Sequence, residues 1–222
     1  MDWDALLLSC RLAATTTAIL LVLGTPLAWW LARGRGWLRA SVDALVAVPL
    51  VLPPTVLGFY LLMLLGPEGP VGGALRALGG PKLVFSFPGL VVASVLFSAP
   101  FVVQPLRNAF RAIGARPAEV AATLGAGPLD RLLTVAVPLA LPSYVTAAVV
   151  AFAHTLGEFG VVLMVGGDLA ETRVVSIAVF EAVESLDYAR AHAMSAILLA
   201  FSFTVLLVVA LVERRTSDGG AR

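Results

Sequence analysis

Charge is scarce in this sequence. Asp, Glu, Lys and Arg together make up 13% of its 222 residues, against about 25% in an ordinary soluble domain. Hydrophobic residues make up 59%. A soluble fold of this length has no interior large enough for them, whereas in a bilayer the apolar surface faces lipid. The single cysteine, Cys10, excludes an intrachain disulfide; it sits in an apolar run, where a small lipid- or helix-facing side chain is expected. The two histidines, His154 and His192, are far apart and belong to no cluster with metal-ligand spacing. A phosphate-binding loop of the form G-x-x-x-x-G-K-S/T is missing, so the chain does not bring its own ATP site. The patterns G-x-S-x-G, H-E-x-x-H and G-x-G-x-x-G are missing too. No metal, cofactor or catalytic residue is expected. A membrane enzyme would need catalytic groups gathered at one depth, and only His154 and Glu158 are candidates.

What the chain has instead is long apolar runs. A helix needs about 20 mostly apolar residues to cross a bilayer. Residues 5–31, 42–65, 84–106, 138–164 and 191–212 qualify, the first ending in Trp29 and Trp30, which suit an interface. The stretch 172–188 carries Glu181, Glu184 and Asp187 among apolar residues. It reads as an amphipathic helix that dips into the protein or lies at the interface, with a sixth span as the alternative. The fold class is all-α: a polytopic transmembrane bundle of about five spanning helices, one domain over residues 1–222. The opening Met1-Asp2-Trp3-Asp4 has no basic leader, so the first run is expected to stay as a spanning helix.

Orientation follows from Lys and Arg. With five spans and the N-terminus outside, ten basic residues fall inside: Arg33, Arg35, Arg39, Arg107, Arg111, Arg116, Arg131, Arg214, Arg215 and Arg222. Five fall outside: Arg11, Arg76, Lys82, Arg173 and Arg190. Acidic residues lean the other way. This predicts a cytoplasmic C-terminus in a bacterial cell membrane, with Arg11 snorkelling from the first span toward the outer interface. The outer loop 66–85, rich in glycine and proline, is expected to be mobile, and the polar tail 216–222 frayed.

The longest piece between spans lies on the inner side, about 108–137, and its second half parses as two short helices. Pro117 suits a first helical turn, where its missing N–H is no loss, and Glu119 there favours the positive end of the helix dipole. Gly125 stands where a left-handed residue ends a helix, and Pro128 starts the next. Ala118, Ala121 and Ala122 give the first helix small side chains that let another surface approach closely. A helix of about eight residues is marginal alone, so it must pack on its own spans or on a separate cytoplasmic subunit.

This segment resembles the cytoplasmic EAA loop of type I ABC importer permeases: Glu-Ala-Ala, three residues, Gly, nine residues, then Ile-x-Leu-Pro. The chain has Glu119-Val120-Ala121, Gly125 and Val135-Ala136-Val137-Pro138. Both spacings match; Val120, Val135 and Val137 depart mildly. The resemblance extends from about residue 6 to 212. It implies that Glu119, Ala121, Ala122, Leu124 and Gly125 form a coupling helix docked on an ATPase subunit. It also implies two ATPase copies, a second copy of this chain and an extracytoplasmic oxyanion-binding protein as partners. The bilayer is the surrounding medium, and nucleic acid is not among the partners.

Two further stretches narrow the family. AVPLVLPPTVLG over residues 47–58 and TLGEFG over 155–160 resemble signatures of molybdate, tungstate and sulfate permeases. The compact length is nearer the homodimeric molybdate type. Pro49, Pro53 and Pro54 interrupt the second helix, and the freed backbone groups must meet protein or water. That makes Pro53, Pro54 and Thr55 candidates for the translocation path, with a structural kink as the other reading. Thr155 and Glu158 are the candidates on the fourth span, and Ser94 and Ser98 on the third. Each hydroxyl could as easily bond its own helix. Glu158 is a costly intramembrane charge, and a carboxylate repels a dianion, so a gating or helix-tethering role fits better than anion binding. His154, one turn earlier, is placed to bond with it. The same machinery serving tungstate, sulfate or thiosulfate is the near alternative; a channel or secondary transporter without an ATPase is the distant one.

Overall fold

The computed structural model describes residues 2–34 and 36–219, and only the backbone of residues 208, 209 and 211–219. Arg35 and Arg222, assigned above to the inner side, lie outside the described residues, as do the side chains of Arg214 and Arg215.

Three long helices make the centre of the bundle. Helix α1 (Trp3–Ala32) packs along α5 (Phe87–Ile113), and both pack on α9 (Leu141–Gly157). Their contact face combines Leu20, Leu31, Val102, Leu106 and Phe110 with the small residues Ala28, Ala147 and Ala151. Within lipid there is no hydrophobic drive between helices, and close approach of small residues is what gives dispersion its hold. Gly24 marks the closest approach: a Cβ there would lie 3.2 Å from Val102 Cγ1. Thr25 and Tyr144 add a hydroxyl–hydroxyl bond of 2.8 Å across α1 and α9. Helix α5 stays continuous through Pro100 and Pro105, as spanning helices with packed neighbours can.

Elsewhere the apolar runs are broken. The expected second span, 42–65, is two helices, α2 (Trp37–Ala47) and α3 (Pro54–Leu65), separated by a 3₁₀ turn (Val48–Leu50) and non-helical residues 51–53. The loop 66–85 contains a further helix, α4 (Pro70–Ala77). After α5, α6 (Arg116–Thr123) is followed by α7 (Pro128–Asp130), a π-helical stretch (Arg131–Ala136) and α8 (Val137–Leu139). The second of the two expected short helices is therefore a mixed α/π segment, bent by 80° where it enters α9. The expected fourth span, 138–164, ends at Gly157, and α10 (Gly160–Gly166) is separate. Stretches long and apolar enough to cross a bilayer, among the described residues, are Trp3–Ala32, Pro54–Ala77, Phe87–Ile113 and Tyr188–Leu207, with the bent pair ending in α9 as a fifth.

Within 172–188 the helix α11 (Val175–Glu184) has ten residues, about 15 Å of rise, half of what a span requires. It buries Val175, Ile177, Ala178 and Ala182 against the bundle, so the stretch is a packed half-length helix. The last helix, α12 (Tyr188–Gly219), starts beside it. An ionic cluster ties this end together: Arg173 bonds Asp2 at 2.9 Å and pairs with Glu181, and Arg190 reaches Asp2 at 3.1 Å. Burial and the nearby Asp168 hold the Glu181 carboxyl above its ordinary range despite Arg173. The N-terminus and the start of α12 thus share one end of the bundle. The opposite end holds the end of α1, where the Leu31 carbonyl accepts from Arg111.

Candidate functional site

At that opposite end the segment of α6 to α8 stands out from the bundle. Ala118 is its inward anchor, 3% exposed, so this alanine packs on its own chain and is not part of the outward surface. Glu119, Val120, Ala122, Leu124 and Gly125 are exposed and Ala121 is half-buried. Leu124, at 83% exposure, is a large apolar side chain left in the open. The turn after α6 is a Schellman motif: Ala126 N–H donates to the Ala121 carbonyl at 3.0 Å and Gly125 N–H to the Ala122 carbonyl at 3.0 Å. Gly125 sits at φ +90° with open space where a Cβ would be, so glycine serves the backbone angle and not a tight fit. Arg33, at the end of α1, lies close enough to feel both Arg131 and Glu119. Its guanidinium is held below the ordinary arginine value, first by burial and then by Arg131. The repulsion from Arg131 outweighs the attraction to Glu119, so Arg33 senses the knob without forming an ion pair to it among the described residues.

The second site is in the middle of the bundle, where the two broken helices meet. Helices α3 and α10 pack directly on each other through two glycines. A Cβ on Gly160 would lie 2.8 Å from Pro54 Cβ and 3.2 Å from Thr55 N; one on Gly58 would lie 2.8 Å from Met164 Cβ. The structure therefore brings Pro54 and Thr55 from one signature stretch against Gly160 of the other. Glu158 fills the gap between α9 and α10. It is 8% exposed, and its carboxylate accepts from Val161 N–H at 2.8 Å. Its backbone carbonyl accepts from Ser176 Oγ at 2.6 Å. A carboxylate here neutralises the positive end of α10.

The expected Glu158–His154 bond is replaced by two others. His154 Nδ1 is 3.0 Å from Ser98 Oγ, which also lies 3.0 Å from Thr155 Oγ1, and the His154 ring lies over Phe101 at 4.0 Å between centroids. The helix ends at Gly157, so the one-turn spacing that would align His154 with Glu158 does not exist. Ser94, Ser98 and Thr155 are buried inside the chain, whereas Pro53, Pro54 and Thr55 are exposed. The N-terminus of α3 has no side-chain cap; that of α10 is capped by Glu158. Sequence reasoning missed Gly58 and Gly160 as contact points, although small residues inside spans are a recognised signal of close packing. Ser176 carries no local signal, because its partner is eighteen residues away.

An all-helical bundle with broken helices at its centre and a short alanine-rich knob at one end defines the class. The sequence profile described as "Binding-protein-dependent transport system inner membrane component" matches residues 24–218, and the chain belongs to that family. Among its relatives is the "Molybdenum transport system permease protein ModB" of Azotobacter vinelandii, 57% identical over 94% of this chain and 92% of the relative. The Escherichia coli K12 protein of the same name is 34% identical over 83% of this chain and 81% of its own length. The "Sulfate transport system permease protein CysT" of Salmonella typhimurium is 33% identical over 87% and 70%. In fold, the chain is similar to a chain in the "Crystal structure of bacterial alginate ABC transporter in complex with alginate pentasaccharide-bound periplasmic protein". The TM-score is 0.76, with 17% identity over 96% of this chain and 78% of that one.

Proposed function

We propose that this chain is the membrane-spanning permease subunit of an ATP-driven importer whose cargo is molybdate. The observation that carries the reading is 57% identity across nearly the full length of a molybdenum permease. The N-terminus lies outside and the C-terminus in the cytoplasm. Two copies form one pore, and two ATPase subunits hold the exposed surface of Glu119, Ala121, Ala122, Leu124 and Gly125. A loaded oxyanion-binding protein docks at the other face. ATP binding draws the knobs together; the bent π-helical segment passes that motion to α9, and hydrolysis resets the pore. Along the path, the open N-terminus of α3 with Pro53, Pro54 and Thr55 faces the anion, because a helix N-terminus without a cap favours negative charge. Glu158 serves as a tether that keeps α10 from competing for it, and Thr155 braces α9 on α5.

Uptake of isotopic molybdate into proteoliposomes holding the full complex tests the cargo. ATP-dependent uptake that tungstate inhibits and sulfate does not is expected. Uptake preferring sulfate would move the assignment to the second cargo, which the sulfate permease relative keeps in view. Glu119→Lys and Gly125→Pro test the motor contact. Proline fixes φ near −65°, incompatible with +90° at residue 125. Both variants should insert in the membrane and lose co-purification of the ATPase; retained ATPase in both would remove the knob from the mechanism.

A further inference from the structure

At the end of the bundle that holds the N-terminus, α1 presents Asp4, Leu7, Leu8 and Arg11 along a single face, at the three- and four-residue spacings that align side chains on a helix. Together with Phe87 and Glu171 they line a cavity of about 420 Å³, within the roughly 300–1,000 Å³ of small-molecule sites. The Arg11 guanidinium lies 4.6 Å from the centroid of the Phe87 ring, a cation–π contact that holds the cation at the rim. The ion pairs described at this end of the bundle join Asp2, Asp168, Arg173, Glu181 and Arg190, and none of them takes in Asp4, Arg11 or Glu171. One positive and two negative side chains therefore face a common hollow floored by leucine, unmatched to one another.

Depth selects the occupant. Arg11 is eight residues beyond Trp3, about 12 Å along the helix. Trp3 is exposed and suits the headgroup level, so Arg11 lies near the top of the hydrocarbon. Leu7 is 71% exposed and leads from the hollow to the lipid-facing side of α1. A free oxyanion would meet two carboxylates and be repelled. A zwitterion that brings a phosphate and an ammonium on one headgroup meets all three charges with the right sign, and its chains continue along the leucines.

We infer that this hollow binds one zwitterionic aminophospholipid of the adjacent leaflet, phosphate on Arg11 and ammonium on Asp4 and Glu171. The lipid joins α1, the start of α5 and the loop before α11, and so braces this end of the bundle independently of the cargo.

Native mass spectrometry of the detergent-purified chain, titrated with phosphatidylethanolamine or phosphatidylglycerol, tests this. One phosphatidylethanolamine should be retained per chain in preference to phosphatidylglycerol. Arg11→Gln should weaken both lipids roughly tenfold, as loss of a charge-assisted hydrogen bond does. Glu171→Lys, on an exposed loop residue and harmless to folding, should reverse the preference toward phosphatidylglycerol. Glu68→Gln, an exposed residue paired with Arg76 and not among those lining the hollow, should change neither. Equal binding of the two lipids by the parent chain, or an unchanged preference in Glu171→Lys, would overturn the proposal. So would efficient disulfide cross-linking of Leu7→Cys between two copies, which would mean that protein covers the hollow.

Discussion

The two interruptions at the centre of the bundle do the same job by opposite means. Between α2 and α3 the chain removes the problem: Pro53 and Pro54 have no N–H to leave unpaired, and the start of α3 is exposed and uncapped. Between α9 and α10 no proline is present, the N–H groups remain, and the Glu158 carboxylate accepts from that of Val161. Donors buried without partners cost about 1–3 kcal/mol each. One break deletes such donors and the other satisfies one with a charge. The consequence is an electrostatic asymmetry between two helix starts that touch: α3 begins open and positive, α10 begins neutralised.

The sharpest way to break this pairing is to force the two starts apart. Gly160→Leu places side-chain atoms against a proline ring and a backbone nitrogen, neither able to yield. Destabilisation at the upper end of the roughly 1–3 kcal/mol typical of overpacking is expected, read as a lowered melting temperature in detergent together with loss of uptake. Next is Glu158→Ala, which leaves the Val161 N–H of α10 unpaired, for about 1–2 kcal/mol, the range of a lost helix cap. Glu158→Gln keeps an acceptor and should lose less than half as much. If alanine and glutamine behave alike in thermal melts, the carboxylate is not acting as a cap. The smallest effect is expected for Pro53→Ala. The backbone there, at φ −55° and ψ 136°, suits any residue, so the cost is the entropy gained by the unfolded chain, below about 1 kcal/mol. The break should persist, with Thr55→Cys labelled by a water-soluble maleimide at the same rate in both backgrounds. Faster or slower labelling in the Pro53→Ala chain would mean that the prolines, rather than the contact with Gly160, hold α3 in place.

Much of this was legible in the residues. Helical class, number of candidate spans, the two-part segment after α5 and the left-handed Gly125 all rest on local rules: apolar run length, proline at a helix start, glycine at a helix end. The break before α3 announced itself through three prolines. The break at Glu158 did not, because Thr155-Leu-Gly-Glu-Phe-Gly160 has no residue that forbids a helix. The contact of α10 with α3 and the Ser176 bond to the Glu158 carbonyl, together with the Glu158 carboxylate on Val161 N–H, favour ending at Gly157. For the same reason His154 turned to Ser98 on α5 instead of to Glu158, and Ala118 turned inward while its neighbours stayed exposed.

The sequence by itself determined that this chain lives in a membrane, where its helices can run, and what its alanine-rich knob looks like, since each depends on residues within a turn or two of one another. Tertiary structure alone decided which apolar runs are continuous, which polar groups find partners, and that two half-helices from distant parts of the chain begin side by side. The reason is that backbone donors removed from water accept whichever partner packing brings within 3 Å or so, and no local pattern records which partner that will be.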